Sequence, residues 1–270
     1  MKPRLFWQIL SLEVRTRMSY RVDFWLNAVA GFLVELAVVW FLWQAVFQES
    51  GREVIGDPPR TFESTVVYYL CVILIGKLVR GQDWEAAISQ DIYTGGLNRY
   101  LLFPAHYLPF KYAQRLGALG PGVLQFVLFG AVAYLWLGLD MHVTFAGAAM
   151  ALSCVVVASF LYFVVDLVIH LIAFWADNVW SLDVGKWFLI SILGGYMLPL
   201  SVFPEGVQRV LEVLPFRVFF DLPVRVFLGE LGPLEWARGM GLALGWCAVF
   251  AALGRLLWWR GRLQYTGIGI

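Results

Sequence analysis

Long apolar stretches alternate with short polar ones along the whole chain. A helix needs about 20 apolar residues to cross a hydrocarbon core of about 30 Å. On this basis we predict six transmembrane spans, at 24–47, 65–80, 116–139, 144–174, 187–203 and 240–259. The pattern predicts an all-α integral membrane protein in which residues 1–270 form a single transmembrane domain.

The segment before the first span, 1–23, mixes basic and apolar residues. Arg15, Arg17 and Arg21 supply positive charge, and Leu5 and Ile9 belong to the apolar part. This combination predicts an amphipathic helix that lies on the membrane surface.

A polar interruption separates the second and third spans, and its first part, 82–95, has helical spacing. Trp84, Ile88 and Ile92 fall on one apolar stripe, and Gly95 is expected to end the helix by adopting a positive φ. Two interpretations remain open on spacing alone: a helix that a cytosolic partner grips, or a helix that lies in the headgroup layer and contacts no partner.

Prolines break the segment 204–236 into short amphipathic pieces. Such pieces suit a re-entrant helical hairpin, where protein rather than lipid covers the backbone. We predict that this hairpin lies outside the cell, between the fifth and sixth spans.

Composition and charge support a membrane protein and orient it. The chain is 60% hydrophobic and 14% charged, whereas soluble domains carry about 25% charged residues. With six spans, 14 of the 20 Lys and Arg residues fall on the side of the two termini and 6 on the other side. The positive-inside rule then places both termini and the 82–95 helix in the cytoplasm. The net charge of +1 says nothing about nucleic acid, because the distribution of charge matters more, and we expect no nucleic-acid partner.

Glu35 is the most informative single residue. It lies about 11 residues into the first span, and so about 17 Å deep. Asn27, Gly31 and Glu35 share one helix face, and an intramembrane carboxylate is by default a candidate functional group. The alternative is a protonated or paired glutamate that holds two helices or two subunits together.

Tyr162, Asp166 and His170 form a second polar stripe, near the predicted cytoplasmic end of the fourth span. An Asp/His pair at i, i+4 does not by itself make a metal site. We interpret it as a polar helix end close to a partner surface, and we predict no metal.

Several sequence motifs for catalysis are missing from the chain. There is no G-x-x-x-x-G-K-[ST] phosphate loop, no H-E-x-x-H and no C-x-x-C, and the three cysteines lie in apolar runs. The chain is therefore not expected to be an enzyme by itself or to hold a cofactor, and energy for work across the membrane would come from another subunit.

The order of these elements resembles the permease subunit of bacterial type-2 ABC exporters. The stretches EVRTRMSYRVDFWLNAVAGFLVELAVVWFLWQAVF and AISQDIYTGGLNRYLLFPAHYL are similar to one bacterial subfamily. In that subfamily an I-x-x-G-x-L-x-x-Y-L-x-x-P element follows the cytoplasmic helix. Here it corresponds to Ile92, Gly95, Leu97, Tyr100, Leu101 and Pro104.

The resemblance implies that two permeases, identical or related, pair above separate ABC ATPase subunits that bind ATP and Mg. It also implies a location in the bacterial cytoplasmic (inner) membrane. The 82–95 segment would then be the coupling helix that contacts the ATPase. The residues expected to take part are Trp84, Ile88, Asp91, Ile92, Gly95 and Leu97.

Two other functions stay open: a membrane scaffold that recruits a cytosolic partner without transport, and a lipid-modifying membrane enzyme. The apolar spans suit a lipidic or amphipathic cargo better than a small ion.

Overall fold

A computed structural model describes residues 3–19, 21–55, 59–81, 87–102, 106–137 and 144–265. Within these ranges the regular structure is helical, apart from one isolated bridge between Ile55 and Arg60. The twelve α-helices are α1 (Pro3–Ser19), α2 (Arg21–Ser50), α3 (Phe62–Arg80), α4 (Ala87–Tyr93), α5 (Leu97–Leu101), α6 (Tyr107–Leu137), α7 (Phe145–Leu171), α8 (Trp180–Leu193), α9 (Glu205–Leu211), α10 (Phe216–Phe219), α11 (Asp221–Phe227) and α12 (Pro233–Gln264).

Five of the described helical segments are long and apolar enough to cross a membrane. They are Trp25–Ser50, Phe62–Arg80, Tyr107–Leu135, Phe145–Phe174 and Pro233–Gln264. They correspond to the predicted first, second, third, fourth and sixth spans, so the all-helical, multi-pass architecture is confirmed.

The centre of the bundle is formed by α3 and α7. In their most apolar parts 67% and 61% of residues are buried, against 11% for α2 and 17% for α12. α7 contacts α3, α4, α11 and α12, and buries Val155, Ala158 and Leu161 in the main core. α2 and α12 therefore present most of their apolar surface to lipid or to another chain.

Several helices extend beyond their predicted spans for local reasons. α3 begins after Thr61, whose side chain accepts a hydrogen bond from the Ser64 amide at 3.3 Å. α12 begins at Pro233 rather than at 240, so the predicted 204–236 hairpin overlaps its first turn. There the Gly232 amide donates a hydrogen bond to the Glu235 carboxylate at 2.7 Å, and proline is tolerated in a first turn because it needs no donor.

The third span begins at Tyr107 rather than at the predicted 116. The prediction excluded Lys111 and Arg115 because they are charged, but both are buried and bound to carboxylates. The helix also continues through Pro121.

The predicted fifth span, 187–203, does not coincide with one continuous helix. α8 begins at Trp180 and ends after 14 residues at Leu193, a length of about 21 Å. Gly195 follows with φ +90°, and a Cβ at Gly194 would lie 3.0 Å from the carbonyl oxygen of Phe216. Only glycine fits this close approach and turn, so the chain leaves the helix here.

The segment after α8 folds back on the bundle. α9 is mostly exposed, whereas α11 buries Leu222, Val224 and Val226 against α7 and α3. The predicted 204–236 hairpin thus contains short helices as expected, with its second half packed on the bundle. Its placement outside the cell stays a prediction.

α1 packs on α6, not only on a surface. A Cβ added at Gly117 would lie 2.6 Å from Glu13 Cβ and 2.8 Å from the Leu10 carbonyl oxygen, and one at Gly120 would lie 2.9 Å from Val14. The two glycines therefore allow a close contact between the N-terminal helix and α6. A position at the membrane surface stays a prediction.

Candidate functional site

Two clusters of charged residues lie beside the short helix α4. The first is centred on Asp166 of α7 and is called the Asp166 cluster: Ser89, Arg115, Asp166, His170, Asp183 and Lys186. The second is centred on Asp91 of α4 and is called the Asp91 cluster: Asp91, Arg99, Tyr107 and Lys111.

In the Asp166 cluster, one carboxylate receives two cations. Arg115 of α6 lies 3.3 Å from one carboxylate oxygen, and the Lys186 ammonium donates to the other. The Asp166 and Arg115 side chains are 2% and 1% exposed. Arg115 also donates to the Val79 carbonyl at 2.9 Å, so the ion pair joins α6, α7 and α8 to the end of α3.

The same lysine connects Asp166 to a second carboxylate. Lys186 Nζ lies 2.6 Å from Asp183, one turn earlier on α8. Burial lowers the pKa of Lys186, but Asp166 and then Asp183 raise it, and the net shift is upward. The two carboxylates therefore favour the charged form of the lysine.

His170 completes the cluster and connects it to α4. Its Nε2 lies 3.7 Å from Asp183, and its Nδ1 lies 3.2 Å from the Ser89 hydroxyl. The side chain is 1% exposed. Asp166 and His170 do lie together as their spacing predicted, but both are buried instead of facing a partner surface.

The side chains of Asp166, His170 and Asp183 offer potential metal-ligand atoms within 4.8 Å of one another. The Lys186 ammonium, however, contacts both carboxylates. It already supplies the positive charge that a metal would bring. The donor set is therefore better matched to an internal ion-pair network than to a metal.

The Asp91 cluster holds the other side of α4. Lys111 Nζ lies 2.6 Å from Asp91, and the Tyr107 hydroxyl donates to the same carboxylate oxygen at 2.9 Å. Arg99 lies 3.9 Å from the second oxygen. Because Lys111 and Tyr107 belong to the first turns of α6, this carboxylate ties α4 to the third span.

The structure places the predicted coupling residues mainly inside the bundle. Ile88, Ile92 and Leu97 are 0%, 1% and 0% exposed, and Asp91 is 8% exposed. Gly95 has φ +72°, which confirms the predicted stop of the helix. Trp84 lies outside the described residues. Among the described side chains of α4 and of the turn after it, the exposed ones are those of Gln90 and Thr94.

The apolar stripe of α4 is therefore its attachment to the bundle, and its polar side is the surface left for contact with a partner. Whether an ATPase binds there stays a prediction.

The other predicted stripe lies on α2, where Asn27 and Gly31 are exposed and Glu35 is partly buried. Glu35 lies close enough to Lys77 of α3 and to Tyr196 to interact with both electrostatically, and its Oε2 atom is buried without a hydrogen-bond partner among the described residues. Its contacts thus agree with the alternative of a glutamate that holds helices together. The substrate-path role stays a prediction.

Sequence reasoning missed the roles of Lys111, Arg115, Asp183 and Lys186. The first two had been counted as loop charges and the last two as a polar turn. The i, i+4 spacing of Tyr107, Lys111 and Arg115 was a usable signal, because it puts all three on one side of a helix.

Within the described residues, five helices long and apolar enough to cross a membrane, together with buried charges, indicate a multi-pass membrane protein. The family model of the ABC-2 family transporter protein matches residues 33–269, and the chain belongs to this family. No curated protein matched the chain. It is therefore a transmembrane permease subunit of an ABC transporter, and the family implies a non-catalytic membrane subunit.

Proposed function

We propose that this chain is the transmembrane subunit of an ATP-driven exporter. It forms the substrate path with a second permease, identical or related, and separate ATPase subunits that bind ATP and Mg power it. The observation that carries this proposal is the way α4 is attached to the bundle. Its residues Ile88 and Ile92 are buried against the bundle, and its polar residue Gln90 is exposed.

This attachment suits the transmission of force. Ion pairs and a buried apolar stripe fix α4 to α6 and α7, so a push on its exposed side would move those helices with it. A ligand or partner shifts a conformational equilibrium only if it binds the two states differently. ATPase subunits whose clefts open and close would meet α4 differently in the two states, which supplies that difference.

The face of α2 that carries Asn27, Gly31 and Glu35 is proposed to border the substrate path. α2 is largely unburied within this chain, so a second permease has room to complete a path against it. A Glu35→Gln variant should then reduce export of a cationic cargo more than export of a neutral one. An equal effect on both would assign Glu35 to helix packing through Lys77 and Tyr196.

We place the protein in the bacterial cytoplasmic membrane with both termini in the cytoplasm and six crossings, the fifth within 187–203. The support is the distribution of Lys and Arg, 14 on the side of the termini and 6 on the other. Reporter fusions after Gln264 and after Ser50 test it. Activity of a cytoplasmic reporter at Gln264 and of an external reporter at Ser50 is expected, and the reverse pattern would refute it.

Co-purification tests the exporter proposal directly. The tagged chain is extracted from its own host in mild detergent, and bound proteins are identified with and without nucleotide. A nucleotide-binding subunit is expected, with the sibling permease if the pair is heteromeric. Recovery of a non-ATPase partner only, with function unchanged when the ATPase is inactivated, would favour a scaffold that recruits a cytosolic protein.

A further inference from the structure

An apolar groove of about 1150 Å³ lies between α6, α7 and α12. Its floor is the side of α7 that carries Phe160, Phe163, Val164 and Leu167. One wall is the start of α6, with Tyr107 and Tyr112, and the other is the C-terminal part of α12. The groove shares only Tyr107 with the Asp91 cluster, and it is separate from the Asp166 cluster and from the α2 face proposed for the substrate path.

The α12 wall carries positive charge at regular helical spacing. Ala251, Arg255, Trp258 and Arg262 follow one another at i, i+4, i+7 and i+11, so they share one side of the helix. All four line the groove, and both arginines are exposed. Within the described ranges neither arginine forms an ion pair, although this helix runs through the apolar part of the protein.

The depth of these arginines matches a headgroup layer. Arg255 lies about 22 residues after Pro233, and so about 33 Å along α12, whereas the hydrocarbon core is about 30 Å thick. Toward the membrane interior from Arg255 the wall is made of Ala251 and Ala252, which leave space above the aromatic floor. The groove is therefore charged at one end and apolar along its length.

Trp258 joins the two walls at the charged end. Its ring stacks on Tyr107 with the centroids 4.9 Å apart and the planes at 6°. The Tyr107 hydroxyl in turn donates to Asp91. The groove thus has a formed end that adjoins the Asp91 cluster, which fixes α4.

From this geometry we propose that the groove binds an anionic glycerophospholipid of the surrounding membrane. Its phosphate lies between Arg255 and Arg262, and an acyl chain lies along Phe160, Phe163, Val164 and Leu167. Basic pockets between transmembrane helices on the cytoplasmic side are suited to anionic headgroups. A lipid brings the negative charge and the apolar chain at the required depths, whereas an apolar protein helix would leave the two arginines without an anion.

The test is a native mass spectrometry titration of the purified full chain with phosphatidylglycerol and, separately, with phosphatidylcholine. The wild type should bind phosphatidylglycerol more tightly. Arg255→Gln combined with Arg262→Gln should weaken phosphatidylglycerol binding about 30-fold, from the attraction of two basic residues to an anionic lipid, and should remove the preference. Ala252→Trp should weaken the binding of both lipids, because the larger side chain fills the groove.

Arg260→Gln is the matched control. Arg260 is an exposed arginine of α12 that lies between Arg255 and Arg262 in the sequence, but it does not line this groove. Equal binding by the double variant and the wild type, or an equal loss in Arg260→Gln, would overturn the proposal.

Displacement of phosphatidylglycerol by inorganic phosphate alone would overturn the acyl-chain part of the proposal. Loss of a dimer in Ala252→Trp with lipid binding unchanged would assign the groove to a second copy. None of these readouts needs an ATPase or transport, so they leave the exporter proposal independent.

Discussion

The Nδ1 atom of His170 lies 3.2 Å from the hydroxyl oxygen of Ser89, 81 positions earlier in the chain. This contact joins α4 to the central helix α7, and Ile88 beside it is fully buried. The short helix is therefore part of the bundle, and its orientation yields a first prediction.

Ile88→Asp is expected to destabilise the protein, because it places a carboxylate where the side chain is 0% exposed. Burial of an unpaired charge is costly enough that the folded state relaxes or is lost. The melting temperature of the purified chain in detergent should fall clearly. Gln90→Asp is the control on the exposed side of the same helix and should melt like the wild type.

The same pair of variants separates attachment from partner binding. If the exposed side contacts an ATPase, Gln90→Asp should reduce ATPase co-purification at unchanged stability. A stable Ile88→Asp protein that loses only its partner would show instead that the apolar stripe faces outward.

Lys186→Met should cost about 3–5 kcal/mol of stability, because it removes a buried cation from two carboxylates. Asp166 would keep Arg115, but Asp183 would lose its cation at 2.6 Å. Lys186→Arg keeps the charge and should cost less. The measurement is chemical or thermal unfolding in detergent, and equal losses in the two variants would point to shape rather than charge.

Zinc gives a second test of Lys186. The ligand atoms of Asp166, His170 and Asp183 lie within 4.8 Å of one another with the ammonium among them. Zinc should therefore raise the melting temperature of Lys186→Ala and leave that of the wild type unchanged. Stabilisation of the wild type by zinc would mean that zinc displaces the Lys186 ammonium from the two carboxylates.

Gly117→Ala should loosen the contact between α1 and α6. Its Cβ would lie 2.6 Å from Glu13 Cβ, whereas a Cβ at Gly130 of the same helix would meet nothing nearer than 3.8 Å. Gly130→Ala is thus the matched control, and by helix propensity it should be neutral or slightly stabilising. Limited trypsin digestion should cut after Arg15 or Arg17 faster in Gly117→Ala only. Equal cutting rates would argue against the close α1–α6 contact.

Asp221→Asn should destabilise the segment after α8. The Asp221 carboxylate is buried and accepts from Arg217 Nε at 3.0 Å and from the Tyr68 hydroxyl of α3 at 3.3 Å. Removing its charge should cost about 1–3 kcal/mol, because Tyr68 loses a buried charged acceptor, whereas the Arg217 side chain left behind is 24% exposed. Glu205→Gln serves as the control, because its pair with Arg209 is exposed and such pairs contribute little. An unfolding curve that moves equally for both variants would contradict this.

The sequence by itself determined the class of this protein. Runs of apolar residues located the five described helices that are long and apolar enough to cross a membrane, and Gly95 marked the end of α4, because both signals are local. Hydrophobic length and a positive-φ glycine depend on neighbours a few residues away. The order of these elements was also enough to indicate the transporter family that the family model shows.

The tertiary structure alone decided where the charges lie and which side of α4 is inward. Arg115 pairs with Asp166, 51 positions later in the chain, and Lys186 of another helix pairs with the same carboxylate. A hydropathy pattern evaluates each charge without its partner, so the prediction assigned Arg115 and Lys186 to loops and began α6 and α8 too late in the chain. An apolar stripe likewise predicts that one side of a helix is covered, but only the surrounding helices determine whether the cover is the bundle or a partner.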